Sequence, residues 1–437
     1  MNADLSTHIQ RLWQGYRRFS VGIILPVFLP SVALTFLQIM MIYLWTNRGN
    51  YVSMFTALSQ RDSLWYLSII HRGYQFIGFH TITFEGSNAA FFPGYPIAVS
   101  WVSQFLGVDP EIGLYLTSHL FCCLMWIYLF LFWRRWQIPM VWQIFAALII
   151  LVYPTSFFLN VGYSESLFMA SLLGFLYWSV YADSPLLMML AGIHGLVMST
   201  TRIVGLPVAL LPAVNLWIPS QQGSRTSRLI WSGAAIFLGL LGGLSFFLYC
   251  QVHFGRWDLY LEMQRYFTGV KANYLAIFQT KTYLLSPQYW RTLFSLSALL
   301  TDQEWANPLS QLFVPLTLGS LIVTSGMDGF SVLADKSQRW QERLGFHLAA
   351  WIMFYMAMAG MSPLLQKSMS RYCLPVHIMQ VLAVVHWIKY TDLSFIPEPV
   401  RPYLSNALKL GYVFLCQVFL ALNLILTWRY VRHLWVA

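Results

Sequence analysis

The stretch Gln60–Tyr74 (Q-R-D-S-L-W-Y-L-S-I-I-H-R-G-Y) places a carboxylate, two arginines and a histidine directly after a long apolar segment. Its acid, Asp62, can take a proton from a hydroxyl as a general base, with Arg61 beside it as a candidate substrate-binding residue; the plain alternative is a solvated loop acid paired with Arg61. His71 can assist that base or bind a phosphate, or sit in solvent. Three further places carry polar groups at the end of an apolar run: Tyr163-Ser164-Glu165, Thr201-Arg202 and Ser370-Arg371-Tyr372. Glu165 can orient a ligand, or be a helix N-terminal acid favoured by the dipole. Arg202 and Arg371 carry guanidinium forks that suit a phosphate, or reach toward lipid headgroups as interfacial arginines do. Trp65, Tyr66 and Tyr95, the last within F-F-P-G-Y-P (Phe91–Pro96), have flat faces that can stack on sugar rings or form an interfacial aromatic belt.

Other chemistries find no carrier. His71, His80 and Glu85 are close in sequence, but no spacing places them on one helical face as in H-E-x-x-H, so no metal site is expected. Phosphate-cradling and dinucleotide-binding glycine motifs are absent, as is a G-x-S-x-G elbow, and no cofactor is expected. The five cysteines lack C-x-x-C spacing and fall mostly in apolar segments, which disfavours disulfides and zinc alike.

The elements that position these residues are membrane helices. Of 437 residues, 58% are hydrophobic and 10% charged, against about 25% charged in a soluble domain. Apolar runs long enough to cross a bilayer, about 20 residues each, recur along the chain. The fold class expected is therefore all-α: a single polytopic membrane domain over residues 1–437. The net charge of +10 is assigned to cytoplasmic loops rather than to nucleic acid, because no basic run with interleaved aromatics stands out.

Arg11, Arg17 and Arg18 precede the first apolar run, so residues 1–20 are expected in the cytoplasm. That run is too long for a cleaved signal peptide and reads as a retained span. The loop 47–110 is then outside and holds Asp62. Its short, proline-bearing stretch 91–107 is taken as interfacial or re-entrant, because counting it as a span would turn Arg134 and Arg135 outward. About eleven transmembrane helices follow from the hydropathy, near 21–46, 111–133, 139–154, 166–181, 186–200, 203–218, 230–250, 309–326, 345–363, 373–388 and 407–427. Residues 251–308 lie outside and include G-R-W-D-L-Y-L-E-M-Q-R-Y-F (Gly255–Phe267), which reads as an amphipathic surface helix. On this parity all the polar sites above share one face of the membrane. Arg429 and Arg432 also fall outside, against the charge rule.

The motifs D-S-L-W-Y-L-S-I-I-H-R-G-Y, A-F-F-P-G-Y-P, Y-P-T-S-F-F-L-N-V-G-Y-S-E-S-L-F and T-R-I-V-G-L-P, in that order, resemble the PIG-V-like GPI mannosyltransferase family and its bacterial relatives. The resemblance covers about residues 55–215; beyond it only S-R-Y-C-L-P is distinctive. It implies a GT-C fold with interfacial helices in the first outer loop. It also implies an inverting enzyme that moves a hexose, mannose first among them, from a polyprenyl-phosphate donor to a glycan or lipid-linked acceptor on the periplasmic or lumenal face. The family's loop acid maps onto Asp62, its second outer-loop motif onto Tyr163, Ser164 and Glu165, and its Thr-Arg pair onto Thr201 and Arg202. The family motif usually opens W-D; Arg61 here precedes the acid, which points to a bacterial relative in the plasma membrane rather than to the endoplasmic reticulum enzyme. Two other readings stand beside it. A lipid-sugar flippase or other transporter would place ionisable residues at mid-membrane depth, and a non-catalytic membrane subunit would have no need of Asp62.

Overall fold

The computed structural model describes residues 20–46, 58–75, 87–181, 185–215, 225–268, 271–284, 287–334, 340–361, 367–390 and 401–436. Arg11, Arg17, Arg18, His80 and Glu85 lie outside the described residues. Every regular element among the described residues is helical, with no strand. The main helices are α1 (Leu29–Thr46), α2 (Asp62–Arg72), α3 (Gly94–Leu106), α4 (Pro110–Arg135), α5 (Met140–Leu151), α6 (Glu165–Tyr181) and α7 (Pro185–Thr201). They continue with α8 (Arg225–Phe254), α9 (Leu259–Thr268), α10 (Ala306–Ala334), α11 (Trp340–Met361), α12 (Met369–Tyr390) and α13 (Arg401–Val431).

Seven helices among the described residues are long and apolar enough to cross a membrane: Ile24–Thr46, Pro110–Arg135, Leu229–Phe254, Ala306–Gly329, Glu342–Met361, Met369–Tyr390 and Asn406–Val431. The chain is thus a multi-pass membrane protein. These seven match seven of the expected spans. The other four expected spans, near 139–154, 166–181, 186–200 and 203–218, are carried by shorter helices. α6 and α7 have 17 residues each, a rise of about 25 Å against a hydrocarbon core of about 30 Å. α5 has 12 residues, and residues 205–215 form two single turns, Gly205–Val208 and Pro212–Asn215. Proline is the physical reason. Pro139, Pro154, Pro185, Pro207 and Pro212 punctuate this region, and each removes a backbone donor and limits the helix around it.

The stretch 91–107 forms α3, 13 residues ended by Gly107 in a left-handed conformation at φ 65°. It is not among the seven helices long and apolar enough to cross a membrane. Its inner face buries Tyr95, Pro96, Val99 and Ser103, and its outer face exposes Ile97, Trp101 and Phe105. The centre of the bundle is α6, buried from Glu165 through Leu176, with α4, α7 and α12 around it.

Polar groups gather at both ends of the bundle. At one end, the Trp136 indole N–H donates to Tyr181 Oη at 2.6 Å and to Glu342 Oε2 at 3.0 Å. Arg343 pairs with Asp328 at 2.6 Å and contacts His386 at 3.2 Å, and His347 also pairs with Asp328. These groups join the ends of α4, α6, α10 and α12 to the start of α11. The other end collects the starts of α2, α6 and α12 and the end of α7. Arg429 belongs there too, and its exception to the charge rule has a structural reason. Its side chain is buried and donates to the backbone carbonyls of Leu299, Asp302 and Trp435 while resting on the Trp305 ring at 5.3 Å. A guanidinium solvated by internal carbonyls is not a loop charge of the kind the positive-inside bias counts.

The opposite placement of the two ends gives a topological prediction. Leu275, which is 64% exposed, belongs to the segment bonded to the end of α11 through Asn273 N–H and Ala359 O at 2.9 Å. Lys389 is exposed at the far end of α12. A membrane-impermeant maleimide should label Leu275→Cys in intact right-side-out vesicles and label Lys389→Cys only after permeabilisation. Labelling of both from outside would overturn the arrangement.

Candidate active site

The site begins with the segment that leads into α2. The Gln60 side-chain amide donates to Tyr430 O at 2.6 Å, the Tyr430 hydroxyl donates back to Leu58 O at 3.0 Å, and the Tyr163 hydroxyl donates to Gln60 O at 3.3 Å. Ser63 Oγ–H donates to Gly162 O at 3.2 Å. Gly162 has φ 77°, and a Cβ there would meet the Tyr115 ring at 3.3 Å and Ser63 Oγ at 3.4 Å, so glycine suits both the backbone and the space. These bonds run between residues far apart in sequence and fix Asp62 as the first residue of α2. Arg61, just before it, has φ 55°, a conformation uncommon outside glycine.

Four charged side chains meet from four helices. Arg371, in the first turn of α12, reaches Asp62 Oδ2 through Nη1 at 2.7 Å and Glu165 Oε1 through Nε. Arg202, just past the end of α7, reaches the same Glu165 oxygen through Nη2 at 2.8 Å. One guanidinium is therefore shared by two carboxylates, and one carboxylate by two guanidinia. Side-chain exposure separates their roles: 0% for Glu165, 6% for Arg371, 15% for Arg202 and 25% for Asp62. Glu165 is the buried anchor, while Asp62 and Arg202 are the groups a ligand can reach. Glu165 Oε2 is buried with no hydrogen-bond partner among the described residues. The arginines rest on aromatic rings, Arg371 on Tyr163 at 4.5 Å and Phe158 at 5.1 Å, and Arg202 on Tyr372 at 5.6 Å, contacts that favour cations on ring faces.

The other expected site residues divide. Trp65, one turn after Asp62, is partly exposed; it stacks on Phe91 at 5.9 Å and meets Phe267 edge-on at 5.7 Å. Tyr66 and Tyr95 do not present open faces. Tyr66 is buried edge-on between Phe91 and Tyr95, at 5.4 and 4.9 Å. Tyr95 is fully buried, its hydroxyl donating to Leu114 O at 2.7 Å and sharing a hydrogen bond with Ser118. The sugar-stacking expectation for these two tyrosines is corrected accordingly; they pack α3 against α2 and α4. Tyr163 is buried beneath Arg371. Burial pushes the Tyr66 and Tyr163 phenols up, and the nearby Asp62 charge adds to the rise, so both stay neutral. His71 is also corrected. It sits in the last turn of α2, about 13 Å along the axis from Asp62, exposed and paired with Glu111 at 3.0 Å. Arg61 lies over the Trp435 ring at 4.1 Å, and burial works against its charge.

Some contributors escaped the sequence reading. Phe267 and Gln264 come from the amphipathic helix α9, Gln264 donating to Ala90 O at 2.8 Å. Tyr430, in the last turn of the last span, and Trp435, just after it, resemble ordinary interfacial aromatics. Gly94 of the P-G-Y turn had a readable signal. A Cβ there would stand 2.7 Å from Thr201 Oγ1 and 2.8 Å from Thr200 O, so the glycine admits the start of α3 against the end of α7, beside Arg202.

Glu165 should carry much of the stability of this end. Removing one member of a buried ion pair costs about 3–5 kcal/mol. Glu165→Gln should therefore lower the unfolding temperature in detergent well below that of an exposed control such as Glu111→Gln. Equal melting of the two variants would show that the carboxylate does not hold the arginines.

A comparison with family models finds no match for the chain. A comparison with curated proteins finds none either.

Proposed function

We propose that the chain is an inverting glycosyltransferase of GT-C architecture. It moves a hexose, mannose as the first candidate, from a polyprenyl-phosphate donor to a hydroxyl of a glycan or glycolipid acceptor. The setting in this reading is the outer face of a bacterial plasma membrane, with the endoplasmic reticulum membrane as the alternative, and α5, α6, α7 and residues 205–215 complete eleven crossings. The observation that carries the reading is the partly exposed Asp62 carboxylate held by Arg371, which shares Glu165 with Arg202 at one end of an apolar helical bundle.

The chemistry needs one base and one anion holder. Asp62 Oδ1 has no partner among the described residues, and it takes the proton as the acceptor oxygen attacks the anomeric carbon. The bond from that carbon to the phosphate oxygen breaks, and the phosphate leaves with the electron pair. Arg202 commits Nη2 to Glu165 and keeps its other N–H donors for the phosphate, whose charge grows as the bond breaks. One displacement needs one carboxylate in contact with the acceptor, whereas retention would need a second as nucleophile. Glu165 is too deeply buried for that role. Arg371 engages Asp62 Oδ2 and holds the carboxylate in place, which leaves Oδ1 for the acceptor hydroxyl. A lipid-sugar flippase would use ionisable groups at mid-membrane depth; the ion pairs described here sit toward helix ends, which favours the enzyme.

Two measurements test the reading. With a synthetic polyprenyl-phosphate mannose, Asp62→Asn should stay folded and lose about 10²–10⁴-fold in transfer; near-normal turnover in a folded variant would remove Asp62 as the base. Arg202→Lys should keep part of the activity and Arg202→Gln less, a charged hydrogen bond being worth about 1.5–3 kcal/mol, or roughly 10- to 150-fold. The loss should appear in kcat as well as in donor KM, because the contact strengthens in the transition state. Equal turnover in both variants and the wild type would leave Arg371 as the phosphate ligand, and a flippase would form no product in any of them.

A further inference from the structure

The four-residue cluster is electrically balanced, two carboxylates against two guanidinia. Beside it stand two cations outside that balance. Arg61 adjoins Asp62 in sequence, and its guanidinium lies 4.1 Å from the centroid of the Trp435 ring. Lys367 lies four residues before Arg371, its ammonium 5.9 Å from the same ring. Arg61 feels the charge of the adjoining Asp62 carboxylate, but neither side chain forms an ion pair or hydrogen bond among the described residues. Two cations gathered at one indole repel each other, and an anion bound near both stabilises the arrangement.

The backbone that carries the indole is held at both of its polar groups. The Trp435 backbone N–H donates to Gln303 Oε1 at 3.0 Å, and the Trp435 carbonyl accepts from Arg429 Nη2 at 3.3 Å. Arg429 in turn binds Asp302 O at 2.6 Å. The outer segment around residues 299–303 thus fixes the chain after α13, and that chain delivers the ring to Arg61 and Lys367. This is more construction than two lysine-like side chains reaching for headgroups would need.

We propose that Arg61 and Lys367, oriented by Trp435, form a second anion subsite that holds a phosphate carried by the acceptor, distinct from the donor phosphate at Arg202. The proposal rests on the glycosyltransferase reading for the word acceptor; the subsite itself does not. It makes the acceptor a phosphate-bearing lipid rather than a neutral glycan. It also gives the departure at position 61 a role, since the arginine stands beside the base and tethers the nucleophile's headgroup there.

The test uses the full chain in neutral-lipid nanodiscs. A radiolabelled short-chain phosphatidic acid is the probe, and the matching diacylglycerol is its neutral counterpart. The wild type should bind the phosphatidic acid, and Arg61→Gln/Lys367→Gln should bind it about 10-fold or more weakly. Trp435→Leu, which keeps both charges, should show a smaller loss in the same direction. Arg432→Gln removes an exposed arginine that lies over Trp428 at 5.8 Å, and it should bind like the wild type. Equal binding by the double variant and the wild type overturns the proposal. So does an equal loss in Arg432→Gln, which would mean general attraction of anionic lipid to a basic surface. In transfer assays the double variant should raise the acceptor KM and leave the donor KM unchanged; a raised donor KM instead assigns the anion to the donor and overturns the proposal. Selective binding in a protein that transfers no sugar would separate the two failures, keeping the subsite and removing the enzyme.

Discussion

The end of the bundle where α2, α6 and α12 begin depends on one buried carboxylate. Glu165 has no exposed side-chain surface, and its Oε1 takes both Arg202 and Arg371. A charge placed there is unfavourable by several kcal/mol unless it is paired, so neither arginine can leave without the other carrying the load. The consequence is geometric. Arg202 comes from the end of α7 and Arg371 from the start of α12, and both must stop where Glu165 can reach them. Asp62 is then placed by Arg371, and the loop behind Asp62 by Tyr163 and Tyr430. A fold driven only by apolar contact has no comparable means of fixing ends, because lipid tails solvate leucine as well as a neighbouring helix does.

The same distinction explains what could be read in the sequence. Asp62, Glu165, Arg202 and Arg371 stood out because an ionisable residue at the edge of an apolar run demands a reason, and all four meet. Their partners were not legible: nothing in the sequence says that one guanidinium bridges Asp62 and Glu165, since the residues lie 103 and 309 positions apart along the chain. The aromatic residues failed differently. Trp65, Tyr66 and Tyr95 have similar ring chemistry and similar setting, and only packing decides that Trp65 keeps a partly open face while Tyr95 is sealed by Leu114 and Ser118. Trp435 left no signal, because a tryptophan after a last apolar run reads as part of an interfacial belt.

Span counting met a physical limit. Hydropathy registers apolar residues but not how many of them form one uninterrupted rod. Between residues 139 and 215 the apolar content is continuous enough to predict four spans, yet prolines divide it into helices too short to cross a bilayer unaided. Those short helices include the ones that end at the charged cluster. α6 begins at Glu165, and α7 stops at Thr201, so that Arg202 leaves the helix at the depth of the anchor. Longer helices would carry these side chains past one another.

Helix polarity completes the electrostatics. α2, α6 and α12 present their N-termini to the cluster and α7 its C-terminus. Asp62 and Glu165 open α2 and α6, where the dipole favours a carboxylate, and Arg202 follows α7, where it favours a cation. Arg371 is the exception, a guanidinium in the first turn of α12, where the dipole opposes it. Two carboxylates and the Tyr163 face are what keep it there. With Glu165 holding both guanidinia and Asp62 holding one of them, each charge of the cluster has its partner; the dipoles of α2 and α6 add to that balance, and the dipole of α12 works against it.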